Sequence, residues 1–264
     1  MNARRLSPTT TKPGLFRTQL RDFWQFVRRP RLAPRLPARV AGSGLLADWL
    51  SLPPGWSMLR WVALLWVLNL VVLGPIAVAA ASAAGAEHRL DLQAIPWLQA
   101  LLWAPIVEEL VFRYALRRFS HVLWLLPIAV VALLAGPTSS AQFGVIVLLL
   151  CCWAPLFAPR WRLTPQQVFR WAGSLRAYRQ FFPWVMHGSC IAFAAIHLHN
   201  FDLLSTQWWI LPWLVLPQWA TGLVLAWVRV RVGIGAAMLM HGAFNAGPLF
   251  LVWLFVTLAP EIAF

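Results

Sequence analysis

The stretch Trp97-Leu-Gln-Ala-Leu-Leu-Trp-Ala-Pro-Ile-Val-Glu-Glu-Leu-Val-Phe-Arg113 places two adjacent glutamates, Glu108 and Glu109, inside a run of apolar residues. The whole chain has only eight acidic residues, so two of them side by side in such a run are unexpected. A carboxylate near the centre of a bilayer costs roughly 2.5–3.5 kcal/mol, and such residues persist where they face a protein interior or a wet cavity. The pair therefore marks the candidate functional site.

The composition is that of a polytopic membrane protein, because 60% of the 264 residues are hydrophobic and only 11% are charged. In soluble domains, about a quarter of all residues are charged. The predicted fold is an all-α transmembrane helical bundle of about seven spans, in which Pro248 is expected to kink or divide the last span. The predicted spans are 60–81, 95–117, 121–136, 141–157, 182–199, 207–228 and 233–258.

The net charge of +14 is distributed in a way that favours membrane topology over nucleic-acid binding. The arginines lie in an N-terminal block and in loops on one side of the predicted bundle, which the positive-inside rule makes cytoplasmic. These loop arginines are Arg117, Arg118, those of the loop 158–181, Arg229 and Arg231. Residues 82–94 and the C-terminus are then predicted to face outward. Compactness and the use of Arg over Lys indicate a bacterial inner membrane, with the N-terminus cytoplasmic.

Residues 1–57 are predicted to be a basic cytoplasmic or interfacial segment, followed by a transmembrane domain at 58–264. Residues 1–40 contain nine Arg and one Lys against a single acid, Asp22. Apolar residues recur there at helical spacing, which predicts an amphipathic helix on the membrane face with anionic lipid as its partner. An unstructured basic arm is the alternative. The apolar positions are Phe16, Leu20, Phe23, Trp24 and Val27.

Few strongly polar side chains remain within the predicted spans. Glu109 and Arg113 are four residues apart, so they share a helix face and can form an ion pair. Glu108 is rotated by about 100° from Glu109 and points elsewhere. The other polar positions are His187, His197, His199, Gln218, His241 and Asn245, of which His241 and Asn245 are again spaced by four.

These residue types suit peptide hydrolysis. A carboxylate held away from bulk water can act as general base toward a water molecule, and a histidine can position that water or protonate the leaving amine. A second histidine and an asparagine amide can donate hydrogen bonds to an oxyanion. Two histidines and a glutamate can instead bind zinc, which leaves a metalloenzyme open. His187, His199 and Gln218 are interpreted as structural or interfacial.

Three motifs occur in order: Glu108-Glu109-Leu-Val-Phe-Arg113, Phe193-Ala-Ala-Ile-His197 and His241-Gly-Ala-Phe-Asn245. Each alone has a structural explanation, such as an ion pair or an interhelical hydrogen bond. Together they resemble the signature of the CAAX-protease and bacteriocin-processing (CPBP, or ABI) intramembrane endopeptidases, the family of the Ras-converting CAAX protease. The resemblance covers roughly 95–247 and includes an inserted segment at about 120–181.

The resemblance implies a role for each motif residue. Glu108 with His197 activates the water, and His241 with Asn245 forms the oxyanion hole. Glu109, Arg113 and Phe193 support the site, and no cofactor is expected, with zinc bound by Glu108, His197 and His241 as the alternative. The implied substrate is a membrane-associated protein or peptide.

Residue counts along the predicted spans give one further expectation. At 1.5 Å per residue, Glu108 and His241 fall nearer the inner membrane face and His197 nearer the outer one. Two other classes of function remain open. A proton-coupled transporter or immunity protein also uses intramembrane Glu and His, but it requires a polar path to both faces. A catalytically silent scaffold has no need of all three motifs.

Overall fold

The computed structural model describes residues 16–32, 45–53, 56–89, 94–154, 165–203 and 206–258. The helices in these ranges are α1 (Phe16–Arg28), α2 (Leu45–Leu50), α3 (Ser57–Val67), α4 (Gly74–Ala84), α5 (Ala104–Phe112), α6 (Val122–Ala135), α7 (Ser139–Trp153), α8 (Pro165–Ile196), α9 (Leu211–Leu214), α10 (Leu216–Arg231) and α11 (Ile234–Leu258). Shorter helical turns are π-helical at Leu68–Leu73 and Gln99–Trp103, and 3₁₀ at Tyr114–Leu116, Phe119–His121 and His197–Asn200. A two-residue antiparallel pair joins β1 (Glu87–His88) to β2 (Phe201–Asp202), so the fold is nearly, rather than strictly, all-α.

Three helical runs among the described residues are long and apolar enough to cross a membrane. They are Ser57–Ala84, Ser174–Asn200 and Ile234–Leu258. Each overlaps one predicted span, the first, the fifth and the last. The third and fourth predicted spans are the shorter apolar helices Phe119–Ala135 and Ser139–Trp153. An integral membrane protein is therefore supported, while the count of seven spans stays a prediction.

The other two predicted spans are built from several helical pieces. The span 95–117 consists of a π-helical turn, α5 and a 3₁₀ turn. The span 207–228 is divided between α9 and α10, and each of these helices has a proline in its first two positions. Proline is tolerated there because its missing N–H has no partner in the first helical turn.

Helix α8 begins much earlier than predicted. It runs over 32 residues from Pro165 to Ile196, so the loop predicted at 158–181 is helical from Pro165 onward. Interior proline usually breaks a helix because it removes one hydrogen bond, yet α8 continues through Pro183 and α11 through Pro248. Pro248 therefore does not divide the last span. Arg160 and Arg162 lie outside the described residues.

Helix α10 is the centre of the bundle. Every residue from Thr221 to Arg231 is buried, and the helix packs against α8 and α11. Arg229 and Arg231 were expected as loop charges, but they lie in the last turn of α10 and are buried. Asp48 pairs with Arg229 at 2.7 Å and Asp22 with Arg231 at 2.7 Å, so each buried guanidinium has a carboxylate partner.

The apolar stripe of α1 packs against this bundle rather than against lipid alone. Phe23 lies 5.4 Å from the Trp61 ring and 6.2 Å from the Trp227 ring, between ring centroids. Asp22 accepts hydrogen bonds from Arg231 and from Trp227 Nε1, both at 2.7 Å. Trp24 belongs to the same stripe but is 57% exposed, so it does not pack into the bundle as Phe23 does. The interfacial position of α1 stays a prediction.

Candidate active site

The ion pair predicted between Glu109 and Arg113 is present at the centre of the site. Arg113 Nη1 donates to Glu109 Oε1 at 2.8 Å, and both side chains are fully buried. The guanidinium carbon lies 3.6 Å from the centroid of the Phe193 ring, a cation–π contact. A Cβ at Gly222 would lie 3.1 Å from Phe193 Cδ1 and 3.3 Å from Arg113 Nη2. Glycine at this position therefore lets α10 approach the stacked pair.

His241 is oriented by the same carboxylate. Its Nδ1 lies 3.1 Å from Glu109 Oε1, the oxygen that also accepts from Arg113. An ionised carboxylate only accepts hydrogen bonds, so the hydrogen belongs to His241 Nδ1. In the neutral imidazole, Nε2 then carries a lone pair, and it lies 3.8 Å from Glu108 Oε2.

His197 is held in the same way by a different acceptor. Its Nδ1 lies 2.8 Å from the main-chain carbonyl oxygen of Phe193, one turn earlier on α8. A carbonyl only accepts, so Nδ1 again carries the hydrogen. The opposite nitrogen, Nε2, lies 4.0 Å from Glu108 Oε2. Phe193 thus positions Arg113 with its ring and His197 with its carbonyl.

Three atoms therefore converge from α5, from the 3₁₀ turn after α8 and from α11: Glu108 Oε2, His197 Nε2 and His241 Nε2. Distances of 3.8 and 4.0 Å are too long for direct hydrogen bonds. Glu108 Oε2 is buried and has no hydrogen-bond partner among the described residues. These spacings fit a small polar group held between all three atoms, with water as the simplest choice.

The expected difference in depth between His197 and Glu108 is wrong, because the two side chains face each other. The predicted depth of His197 was counted along a span that was taken to run from residue 182 to residue 199. The helix is 32 residues long, so a position counted from residue 182 does not report the distance to either membrane face.

Asn245 lies one turn beyond His241 and bonds to the chain in front of α5. Its Nδ2 donates to the carbonyl oxygen of Ala100 at 2.8 Å, within the π-helical turn Gln99–Trp103. No side-chain hydrogen bond or ion pair joins it to Glu108, His197 or His241 among the described residues. Its second amide hydrogen stays available to a ligand, since one bond uses one of two donors.

Gly242 allows α11 to approach this turn closely. A Cβ at this position would lie 2.8 Å from the carbonyl oxygen of Leu101, closer than a stable contact allows. That carbonyl precedes Pro105 by four residues, and proline cannot donate the helical hydrogen bond to it. The proline and the glycine thus bring the main chain before Glu108 against the helix that carries His241 and Asn245.

We expect Gly242→Ala to lower the melting temperature, because the added methyl group forces α11 away from Leu101. Overpacking of this kind costs about 1–3 kcal/mol of stability. Gly144→Ala is the matched control, because a Cβ there meets nothing within 4 Å. Thermal unfolding of both variants measures the effect. An equal melting temperature of Gly242→Ala and the wild type would show that this close approach is not needed.

Arg229 was missed as a supporting residue by sequence reasoning. Its Nε donates to the carbonyl of Arg113 at 3.0 Å and its Nη2 to that of Tyr114 at 3.1 Å, while Nη1 binds Asp48. It thereby satisfies the carbonyls at the end of α5. Its position next to Arg231, at the end of an apolar run, looked like that of an ordinary loop charge.

The zinc alternative can be compared with the geometry. The described residues contain no group of three or more His, Cys, Asp or Glu side chains arranged to hold a metal ion. The histidines do have one feature of metal ligands, since the Nδ1 of each is held by an acceptor and leaves Nε2 free.

Comparison with protein families matches residues 91–247 to the family described as type II CAAX prenyl endopeptidase Rce1-like. The match covers more than half of the 264 residues and contains all three motifs. Comparison with curated proteins found no match, and comparison with solved structures found none. The resemblance to CPBP-type CAAX proteases is confirmed, and this chain belongs to the type II CAAX prenyl endopeptidase Rce1-like family.

Proposed function

We propose that this protein is an intramembrane endopeptidase that hydrolyses a peptide bond of a membrane-associated protein or peptide. The observation that carries the proposal is the convergence of Glu108 Oε2 with the Nε2 atoms of His197 and His241, at 4.0 and 3.8 Å. Membership of an endopeptidase family supports it. A buried carboxylate facing two oriented histidines is an arrangement suited to activating water.

The proposed reaction begins with a water molecule between Glu108 and His197. Glu108 takes a proton as the water oxygen attacks the carbonyl carbon of the substrate. That proton passes, with the help of His197, to the leaving nitrogen, and the C–N bond breaks. The products are a new carboxyl group and a new amine, so atoms and charges balance.

The proposed oxyanion hole consists of His241 and Asn245. His241 already donates from Nδ1 to Glu109, so donation from Nε2 requires the imidazolium form. The Glu109 carboxylate, paired with Arg113, stabilises that cation. Asn245 would donate its second amide hydrogen while the first stays on Ala100. Donors fixed in this way stabilise the oxyanion because they need no rearrangement during the reaction.

An apolar groove favours a lipid-bearing substrate. The groove has a volume of about 410 Å³ and is lined by apolar and aromatic residues, one of which is Ala246, the residue after Asn245. Trp66, Trp97 and Phe250 are among its walls. An apolar chain attached near the scissile bond could occupy this groove while the peptide lies against Glu108.

The test uses purified protein in lipid vesicles and an internally quenched peptide that ends in a CAAX-type sequence with an S-farnesyl cysteine. We expect cleavage at one internal bond, located by mass spectrometry. The same peptide without the farnesyl group is the control and should be cut more slowly. Failure of folded protein to cut either peptide would count against the proposed function.

A zinc-dependent peptidase using Glu108, His197 and His241 is the second candidate, favoured by the orientation of both histidines. For the water mechanism, we expect activity to survive prolonged dialysis against EDTA and 1,10-phenanthroline. Cleavage of the quenched peptide is measured with the dialysed protein and with the untreated protein. Loss of activity that zinc alone restores would instead assign these three residues to a metal.

We further propose that α1 lies on the cytoplasmic side of an inner membrane, where anionic lipid binds the basic segment. Its Arg17, Arg21 and Arg28 are exposed while Asp22 ties the helix to the bundle. An Arg17→Cys variant should then react with impermeant maleimide only from the cytoplasmic side. Labelling from the periplasmic side would show that the topology is the opposite of the one proposed.

The lipid contact has its own test. Phosphatidylglycerol should raise the melting temperature of the wild type more than that of a variant in which these three arginines are replaced by Gln.

A further inference from the structure

The carbonyl oxygen of Phe244, inside the third motif, lacks its usual helical partner. In a regular α-helix it would accept a hydrogen bond from the N–H of the residue four positions later, and in α11 that residue is Pro248. Proline has no N–H, so this bond cannot form. Within a membrane, a carbonyl freed in this way is tolerated where a neighbouring helix supplies a donor.

Trp66 of α3 supplies that donor. Its indole Nε1 donates to the Phe244 carbonyl oxygen at 2.9 Å, although the two residues are 178 positions apart. The indole lies directly against Gly247, where a Cβ would come within 2.7 Å of three of its atoms, Nε1 included. The proline that frees the carbonyl and the glycine that admits the indole are therefore neighbours in the chain.

The bond from Trp66 fixes the main chain that carries Asn245. The Phe244 carbonyl belongs to the peptide unit that joins Phe244 to Asn245, while His241 lies on the preceding turn of α11. Helices bend at proline, where a main-chain hydrogen bond is missing, so a change of bend here alters the distance between the His241 and Asn245 side chains. The bond of Asn245 to Ala100 holds the amide at its other end. The two anchors together fix the direction of the second amide hydrogen.

We propose that Trp66 is a positioning residue for the oxyanion hole, because its indole replaces the main-chain donor that Pro248 lacks and thereby holds Asn245 in place beside His241. The inference rests on the proposed function, in which these two side chains stabilise the oxyanion. A residue that acts through Asn245 affects the transition state more than the bound substrate, so its loss lowers kcat rather than raising KM. Trp66 also lines the apolar groove, and a role as a wall for the lipid would instead appear in KM.

Trp66→Phe removes the indole N–H and keeps an aromatic ring in the groove. We expect it to lower kcat for the farnesylated peptide about tenfold, with KM nearly unchanged, because a small displacement of a catalytic group reduces the rate strongly. Trp97→Phe alters the same groove, but the Trp97 indole makes no hydrogen bond among the described residues, so any loss should fall on KM. Trp184→Phe, at a 79% exposed position on α8, should match the wild type.

Pro248→Ala restores the N–H that the Phe244 carbonyl lacks. In this background the carbonyl keeps a donor when the indole is lost, so we expect Trp66→Phe to lower kcat only about twofold or less. The melting temperatures of the wild type, the two single variants and the double variant give the same comparison without any catalysis. There too, Trp66→Phe should have the smaller effect in the Pro248→Ala background.

A second pair of variants tests whether Trp66 acts through Asn245. In the Asn245→Ala background, Trp66→Phe should change kcat little, because the group that it positions is absent and residues that act as a unit are not additive. If Trp66→Phe alone does not fold, the double variant with Pro248→Ala decides. It should fold and turn over within about twofold of Pro248→Ala.

Four results overturn the inference: wild-type kcat in Trp66→Phe, a loss confined to KM, an equal loss of kcat in the Pro248→Ala background, or an equal loss in the Asn245→Ala background. Any of them, found while the wild type cleaves the farnesylated peptide at one bond, leaves the proposed function intact and removes the role of Trp66. Failure of the folded wild type to cleave overturns the proposed function and the role of Trp66 with it.

Discussion

Glu108→Gln should abolish peptide cleavage, with turnover lower by about 1,000-fold or more, while the protein still folds and binds its substrate. The amide keeps the shape of the carboxylate but cannot take a proton from water, and general base catalysis contributes about 100–10,000-fold. Glu108 Oε2 has no hydrogen-bond partner among the described residues, so the substitution breaks no hydrogen bond between this oxygen and them. Turnover of the quenched peptide and the melting temperature are measured on the same preparation.

Glu87→Gln is the control for this change, because Glu87 is an exposed acid on β1. It should keep wild-type turnover.

His241→Ala and Asn245→Ala should each lower turnover by about 100–1,000-fold, because each removes an oxyanion donor. Combined with Glu108→Gln they should cost little more, since residues that act as a unit are not additive. Near-normal turnover by Glu108→Gln would refute the proposed mechanism.

Arg113→Ala should destabilise the protein by about 3–5 kcal/mol, because it leaves the fully buried Glu109 carboxylate without its cation. The change also removes the guanidinium from the Phe193 ring, 3.6 Å away. Folded yield and melting temperature should both fall. Arg60→Ala is the control, since Arg60 is exposed on α3 and should be replaceable without loss.

A double variant separates the charge effect from a loss of packing. Glu109→Gln with Arg113→Met removes both charges and keeps similar volumes, so it should recover much of the stability lost in Arg113→Ala. It should not recover activity, because His241 Nδ1 loses the carboxylate that orients it. A melting temperature of Arg113→Ala equal to that of the wild type would contradict the importance of the buried pair.

Local spacing explains which parts of the site could be predicted from the sequence. Glu109 and Arg113 are neighbours on one helix turn whatever the bundle looks like, and the structure contains their ion pair. The hydrogen bond of His197 to the Phe193 carbonyl likewise joins residues four apart. The order of the three motifs identified the family without any contact between them being known.

Contacts between distant helices explain what could not be predicted. The bond from His241 to Glu109 joins residues 132 positions apart, and no local pattern encodes it. The same holds for Asp48 and Arg229, 181 positions apart. Without that partner, Arg229 looked like a loop charge, although it is fully buried.

The early start of α8 was missed for a different reason. Hydropathy detects only the part of a helix that is apolar, and the arginines before residue 182 end that signal. Helix α8 runs through Pro183 without a break.

The central claim is that a water molecule held by Glu108, His197 and His241 attacks the peptide bond directly. The most direct measurement is mass spectrometry of the farnesylated peptide and of the intact protein during turnover in water enriched in ¹⁸O. We expect cleavage at one internal bond, one heavy oxygen in the new carboxyl group, and no change in the mass of the protein. A peptide covalently attached to the protein, or an uncut peptide in the presence of folded protein, would contradict it.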